Sequence, residues 1–149
     1  MRHLWLLIGL AAVVSLGVAT AVGRASSRAA ALHFYERQGS TTFVDNPPKG
    51  KQSTPGDEFV FTNPVYTRHG GRVGSDHGTC TILRERPRVA QCTSTLQLPQ
   101  GQLMILELDT GKPSNTAAVV GGTGQFAAVH GTLTTRTAGK ANVLDIVLR

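Results

Sequence analysis

Beyond residue 31 the chain alternates apolar and polar side chains with a period of two, in short stretches broken by glycine, proline and polar residues. That period belongs to β-strands, whose successive side chains point to opposite faces. LHFYERQ (32–38) and TTFVD (41–45) read as one or two β segments that stop at Asn46-Pro47-Pro48, where proline lacks the N–H a ladder needs. After the polar loop NPPKGKQSTPG come DEFVFTNPVYT, VGSDHGTCTILRE, VAQCTSTLQLP, QLMILELD, TAAVVGG, FAAVHGTLTTRT and ANVLDIVL, which brings the count to eight short strands in a meander. Pro64, inside the second of these strands, marks an edge, a bulge or a strand end.

An open sheet of that size leaves two edges ready to pair with other chains, and closing it into a barrel removes both. The expected fold is therefore all-β, an eight-stranded antiparallel barrel, whose interior is just wide enough to be filled by side chains or to hold one small ligand. Alternation assigns to that interior Phe59, Phe61 and Asn63, then Cys80 and Ile82, then Cys92, Ser94, Leu96 and Leu98, and finally Leu144, Ile146 and Leu148. Such a lumen is mostly apolar with a few polar atoms. It suits a hydrophobic small molecule, with Phe59, Phe61, Ile82, Ser94 and Leu96 as the expected contacts. Val60, Thr62, Thr93 and Thr95 fall on the outer face, mild enough to be solvated or to pair in a homo-oligomer.

Composition narrows the alternatives. The 149 residues make one domain, or one domain and a tail. Hydrophobic residues at 40% and charged residues at 16% are too many and too few, respectively, for a disordered chain. Seventeen glycines and seven prolines argue against a helical bundle. The formal charge of +6 suggests nucleic acid until its position is checked. Arg2, Arg24 and Arg28 precede every acidic residue, and from Leu32 onward twelve cations face nine acids, a balance of +3. Apart from Arg84, Arg86 and Arg88 around one proline and the Lys49/Lys51 loop, these cations are scattered, so the reading is a solvated surface and no nucleic-acid partner.

The first residues carry a separate signal. Met1-Arg-His is a short positive region, Leu4 to Val18 is an almost unbroken apolar run, and Ala19-Thr20-Ala21 has the small-x-small arrangement of a signal-peptidase site. Residues 1–21 are read as a signal peptide, 22–31 as a linker and 32–149 as the barrel, exported from the cytoplasm. The alternative is an uncleaved N-terminal membrane anchor, since Leu4 to Ala21 just reaches spanning length. No cysteine lies near the cut to accept a lipid.

The two cysteines fit an oxidising compartment. Cys80 and Cys92 lie equally far from Arg86, beside the Arg86-Pro87 turn signal, so in a hairpin centred there they are direct cross-strand partners within bonding reach. A slip of register would leave two separate thiols. Two cysteines and five scattered histidines show no metal-ligand spacing, and nothing in the chain marks a cofactor site.

GDEFVFTNPVY, GSDHGTC, Gly101-Gln102 and above all AVVGGTGQFAAVHGTL resemble the allene oxide cyclase and dirigent barrel superfamily, over about Leu32 to Arg149. The VGGTGQF run is not a phosphate loop, because a β-rich segment without Lys-Ser/Thr follows it instead of a helix. Its glycines suit a sharp strand-to-strand connection. The resemblance implies an eight-stranded antiparallel barrel that acts as a shaped cavity, cyclising an unstable fatty-acid epoxide or steering phenoxy-radical coupling in its plant members. It also implies roles residue by residue: Glu36 as an electrostatic aid to epoxide opening, Asn63 and Cys80 as cavity-lining groups. A Cys80–Cys92 disulfide would remove the Cys80 thiol.

Other polar residues are candidates on position alone. Glu107 shares an apolar strand with Leu103 and Ile105, and a carboxylate turned inward there would have a raised pKa suited to proton transfer. Asp76 and His77 are adjacent, so one of them faces out. His130, on the strand after the glycine run, and Asp145 are read as exterior or rim, and no Ser-His-Asp order can be assembled. Two functions fit. One is an isomerase or intramolecular cyclase, not a hydrolase, with Glu36, Asn63 and Glu107 as its polar groups. The other is a non-catalytic binding barrel for an apolar ligand. The export reading has a direct test: N-terminal sequencing of the secreted protein is expected to start near Val22, and a chain that starts at Met1 in the membrane fraction would establish the anchor instead.

Overall fold

The computed structural model describes residues 30–46 and 53–149. The expected signal peptide and most of the linker lie outside those residues. Nine antiparallel strands follow one another: β1 Ala30–Arg37, β2 Ser40–Val44, β3 Glu58–Tyr66, β4 Arg72–Glu85, β5 Arg88–Leu98, β6 Gly101–Asp109, β7 Ser114–Gly122, β8 Gly131–Ala138 and β9 Ala141–Leu148. From β3 to β9 each strand pairs with the next, the meander expected of short strands joined by tight turns.

The ring closes through the first strand. All eight residues of β1 pair with β9, from Ala30 opposite Leu148 to Arg37 opposite Ala141. On its other edge β1 meets β3, with Tyr35 opposite Tyr66 and Glu36 opposite Val65. β2 then continues along the same edge of β3, from Ser40 opposite Thr62 to Val44 opposite Glu58. The two segments are one path with a break at Gln38-Gly39, so the barrel has eight staves and β2 is an added length of the first. Gly39 permits the break: a Cβ there would sit 2.1 Å from the Thr62 carbonyl oxygen.

One strand starts later than its sequence pattern suggests. Instead of continuing as a strand from Phe126, the chain makes a single 3-10 turn over Gly124–Phe126, and β8 begins only at Gly131. His130 is thus exposed in a connection and not on a strand. The cause is the glycine run folding over the β5–β6 turn. Thr123 N–H donates to the Gln102 carbonyl at 2.9 Å, and Gln125 N–H to that of Gln100 at 2.9 Å. Gly124 takes φ +62°, and a Cβ there would meet Gln100 O at 2.4 Å, so both conformation and space require glycine. The turn delivers Phe126 into the barrel end, where it packs in an apolar cluster with Val65, Leu96, Leu98, Leu103, Val119, Ile146 and Leu148. This end is filled with side chains, and the hydrophobic burial that holds the barrel together is concentrated there.

At the other end lie the β4–β5, β6–β7 and β8–β9 tips and the β2–β3 loop. Asp57 clips that loop: its fully buried carboxylate accepts Asn46 N–H at 2.8 Å and Thr54 N–H at 2.6 Å. These backbone donors, Thr54 first, hold its pKa below the ordinary carboxylate range. Gly56 N–H and Ile82 N–H bind the Ile82 and Asp57 carbonyls across to β4.

Cys80 faces Cys92 across β4 and β5, and the two are joined as a disulfide. The hairpin keeps the expected register from Ser75 opposite Gln97 to Ile82 opposite Ala90, then slips by one residue before the turn. The bond closes a short loop, so on chain-entropy grounds its removal costs about 3 kcal/mol. Cys80→Ala/Cys92→Ala is expected to melt about ten degrees or more below the parent in calorimetry, and the unreduced, denatured parent to show no thiol reactive to a maleimide. Two reactive thiols per chain would refute the bond.

Candidate functional site

The open half of the barrel holds a cavity of about 620 Å³, within the size range of small-molecule sites. Its walls come from inward positions of most staves, in register. Phe59 stands opposite Cys80, Cys80 opposite Cys92, and Cys92 opposite Glu107. Phe61 lies opposite Gly78, where a Cβ would be 2.6 Å from the Phe61 ring and 2.7 Å from Ser94 Cβ. The missing side chain at 78 is what lets the Phe61 ring lie across the wall.

At the floor of the cavity stands Glu36, buried, at the seam of the barrel. Its Oε1 accepts Asn63 Nδ2–H at 2.9 Å and its Oε2 accepts Asn142 Nδ2–H at 3.0 Å. Asn63 is oriented in turn by Gly39 N–H, which donates to its Oδ1 at 2.9 Å. The break between β1 and β2 therefore positions the amide that holds the carboxylate.

Asp76, directly across from Asn63 on β4, is the second floor carboxyl. It is buried, and its Oδ1 has no hydrogen-bond partner, the one such side-chain atom among the described residues. Burial first, and the Glu36 carboxylate second, push its pKa up to about 7; the Ser94 hydroxyl pulls the other way. A hydrogen bond toward Glu36 and the charge of Glu107 add to the rise. Glu107, half-buried on the wall, is raised as well, by burial and then by Asp109 and Glu36. His77, the neighbour of Asp76, faces out, where Ser75 and Thr62 hydroxyls lie 2.7 and 3.2 Å from its ring nitrogens. Asp145 is likewise outside, paired with His33 at 2.5 Å and Arg136 at 2.7 Å.

The structure thus brings Glu36, Asn63 and Glu107 to one cavity, with Phe59, Phe61 and Ser94 among its lining residues. Ile82 and Leu96 do not line it. Ile82 is buried where its backbone pairs with Gly56 and Asp57, and Leu96 belongs to the packed end below the floor. The lumen also departs from the apolar expectation: polar residues, including Asp76, Asn142, Asn115, Thr135 and Asp109, take up much of its lining. Among the described residues no cluster of three His, Cys, Asp or Glu is arranged to hold a metal ion. A cavity with a shaped aromatic wall and two buried carboxyls at its floor can bind a small organic molecule, restrict its conformation and move a proton at one end of it.

Three solved structures share this architecture. A pyocyanin demethylase aligns at 23% identity and a TM-score of 0.70, covering 80% of this chain and all of its own. A pterocarpan synthase dirigent protein aligns at 20% identity and 0.65, covering 82% of this chain and 94% of its own. A Diels–Alderase from Streptomyces koyangensis aligns at 20% identity and 0.65, over 81% of this chain and 63% of its own. No curated protein matches the sequence. The family described as "Allene oxide cyclase barrel like domain" matches residues 38–148, nearly the whole of the barrel, and the chain belongs to it.

Proposed function

We propose that the protein binds a small organic molecule in the open half of its barrel, outside the cytoplasm, and rearranges it by proton transfer at Glu36 and Asp76. The reaction class is an isomerisation or intramolecular cyclisation, with no water added. The observation that carries this reading is the buried carboxyl pair opening on a cavity: Asp76 near neutrality, with an unpartnered oxygen, against a Glu36 held by two amides.

A general acid or base works best with a pKa near the ambient pH, because both protonation states are then populated. Asp76 meets that condition through burial and a neighbouring charge. Glu36 is fixed by Asn63 and Asn142 and supports positive charge that develops on the bound molecule, a preorganised electrostatic role. Glu107 supplies a second carboxyl on the wall. Phe59 and Phe61 provide a surface that limits the conformations of a flexible ligand, which can account for much of a cyclisation barrier. The names of the similar structures, a demethylase, a dirigent protein and a Diels–Alderase, all describe reactions of small organic molecules and support the same class. The disulfide supports export, since such bonds persist in oxidising compartments.

Incubation with a small-molecule extract of the producing cells, followed by liquid chromatography and mass spectrometry, is expected to convert a compound to one of unchanged mass and altered retention. In D2O the product should gain deuterium. Asp76→Asn is expected to slow the conversion by roughly 10²–10⁴-fold. A product heavier by one water, or full activity in Asp76→Asn, would refute the reading.

Asp76 also predicts how stability follows pH. Its pKa rises from an ordinary 3.8 unfolded to about 7 folded, so the folded protein binds this proton more tightly. Its contribution to stability is present in full below pH 4 and is lost as pH rises through 7. The parent is expected to melt at lower temperature at pH 8 than at pH 5, and Asp76→Asn to lose much of that difference. An equal difference in both proteins would show that Asp76 is not the group responsible.

A further inference from the structure

The cavity's charges are segregated by depth. Arg88 opens β5, Lys112 lies in the β6–β7 connection and Lys140 in the β8–β9 tip, so three alternate hairpins of the meander each place one cation in the cavity lining at the same end. All three are exposed, all three line the cavity, and among the described residues none lies within ion-pair distance of a carboxylate. The Arg88 guanidinium stands 4.9 Å over the Phe59 ring, which keeps it at the lip of the aromatic wall. The acids lie deeper: Glu36 and Asp76 are buried at the floor, and Glu107 is half-buried on the wall. Asp109, nearer the mouth, is engaged by its own turn, its Oδ1 accepting Gly111 N–H at 2.8 Å and Asn115 Nδ2–H at 3.2 Å.

We propose that the lumen selects an organic anion: an apolar or aromatic body carrying one oxyanion group, entering body first. The oxyanion rests on Arg88, Lys112 and Lys140, and the body lies along Phe59, Phe61, Ile105 and Leu144. The far end of the molecule is thereby delivered to Glu36 and Asp76. Entry the other way round would press an anion against buried carboxylates and strip it of water, and both effects oppose it. The rim therefore sets which end of the molecule reaches the carboxyl pair. This inference rests on the reading of the lumen as the ligand site and adds the chemical class and orientation of what fills it.

Two fluorescent probes with the same aromatic body separate the possibilities: 1-anilinonaphthalene-8-sulfonate carries an oxyanion, and N-phenyl-1-naphthylamine does not. Exposed ionic contacts are individually weak, and three together are expected to make the sulfonate bind about tenfold more tightly in low salt. The difference should narrow as ionic strength rises. In Arg88→Gln/Lys112→Gln/Lys140→Gln it should fall to about twofold or less, because the sulfonate loses several-fold more affinity than the uncharged probe does. Both probes should compete for one site and weaken together in Thr135→Trp, whose indole would occupy the cavity. Equal affinity of the two probes for the parent, or a difference that survives the triple substitution, overturns the anion proposal and leaves the ligand site standing. Failure of both probes to bind, or binding without mutual competition, overturns the lumen as a ligand site and this proposal with it.

Discussion

Closure of the ring through its first strand is the constraint on which the rest depends. β1 has a partner on each edge, and only where both ladders overlap, at Tyr35 and Glu36, is the barrel sealed by backbone on both sides of one stave. Glu36 repeats that closure with its side chain, one oxygen bound to Asn63 of β3 and the other to Asn142 of β9. A buried carboxylate is tolerated only when its oxygens are hydrogen-bonded, so the three strands must be correctly placed before the group is stable. The carboxylate at the cavity floor and the seam of the fold are one structure.

The division of the barrel into two halves follows from what the strands place inside at each level. Toward the β5–β6 turn the inward positions are large and aliphatic, and Phe126 completes the packing from its 3-10 turn. Toward the β8–β9 tip the same faces carry Asn142, Thr135, Ser94 and Asp76. A uniformly apolar interior would close on itself to native packing density. Polar groups that must be solvated or paired keep the upper half open, and the lower half supplies the rigidity that holds them in place.

Much of this is legible in the chain. Period-two alternation and turn residues reveal the meander, the barrel and the disulfide register, because these depend on contacts between neighbouring strands. The seven-residue glycine run reads correctly as a connection, and the segment from Phe126 reads incorrectly as the start of a strand. Nothing local shows that it folds over Gln100 and Gln102. Asp76 and Asn142 follow from the same alternation. Asp76 has the parity of Cys80, and Asn142 that of Leu144, so carrying each inward face two or four residues further exposes them. What no pattern shows is that Asn142 meets Glu36, a contact across 106 residues that exists only once the ring has closed. Ile82 and Leu96 have inward parity as well, but parity alone does not decide whether a residue lines the cavity, and neither of them does.

The packed end has a kinetic meaning. A tube stopped at one end has a single doorway, so a molecule that goes in must leave by the way it came. Two different reactants would have to queue, the first trapped behind the second and neither able to be exchanged out of order. A single molecule that folds upon itself has no such difficulty. For the rearrangement proposed above, traffic through a blind passage favours chemistry with one participant, and it would tie the pace of each cycle to how readily the product backs out past Arg88, Lys112 and Lys140.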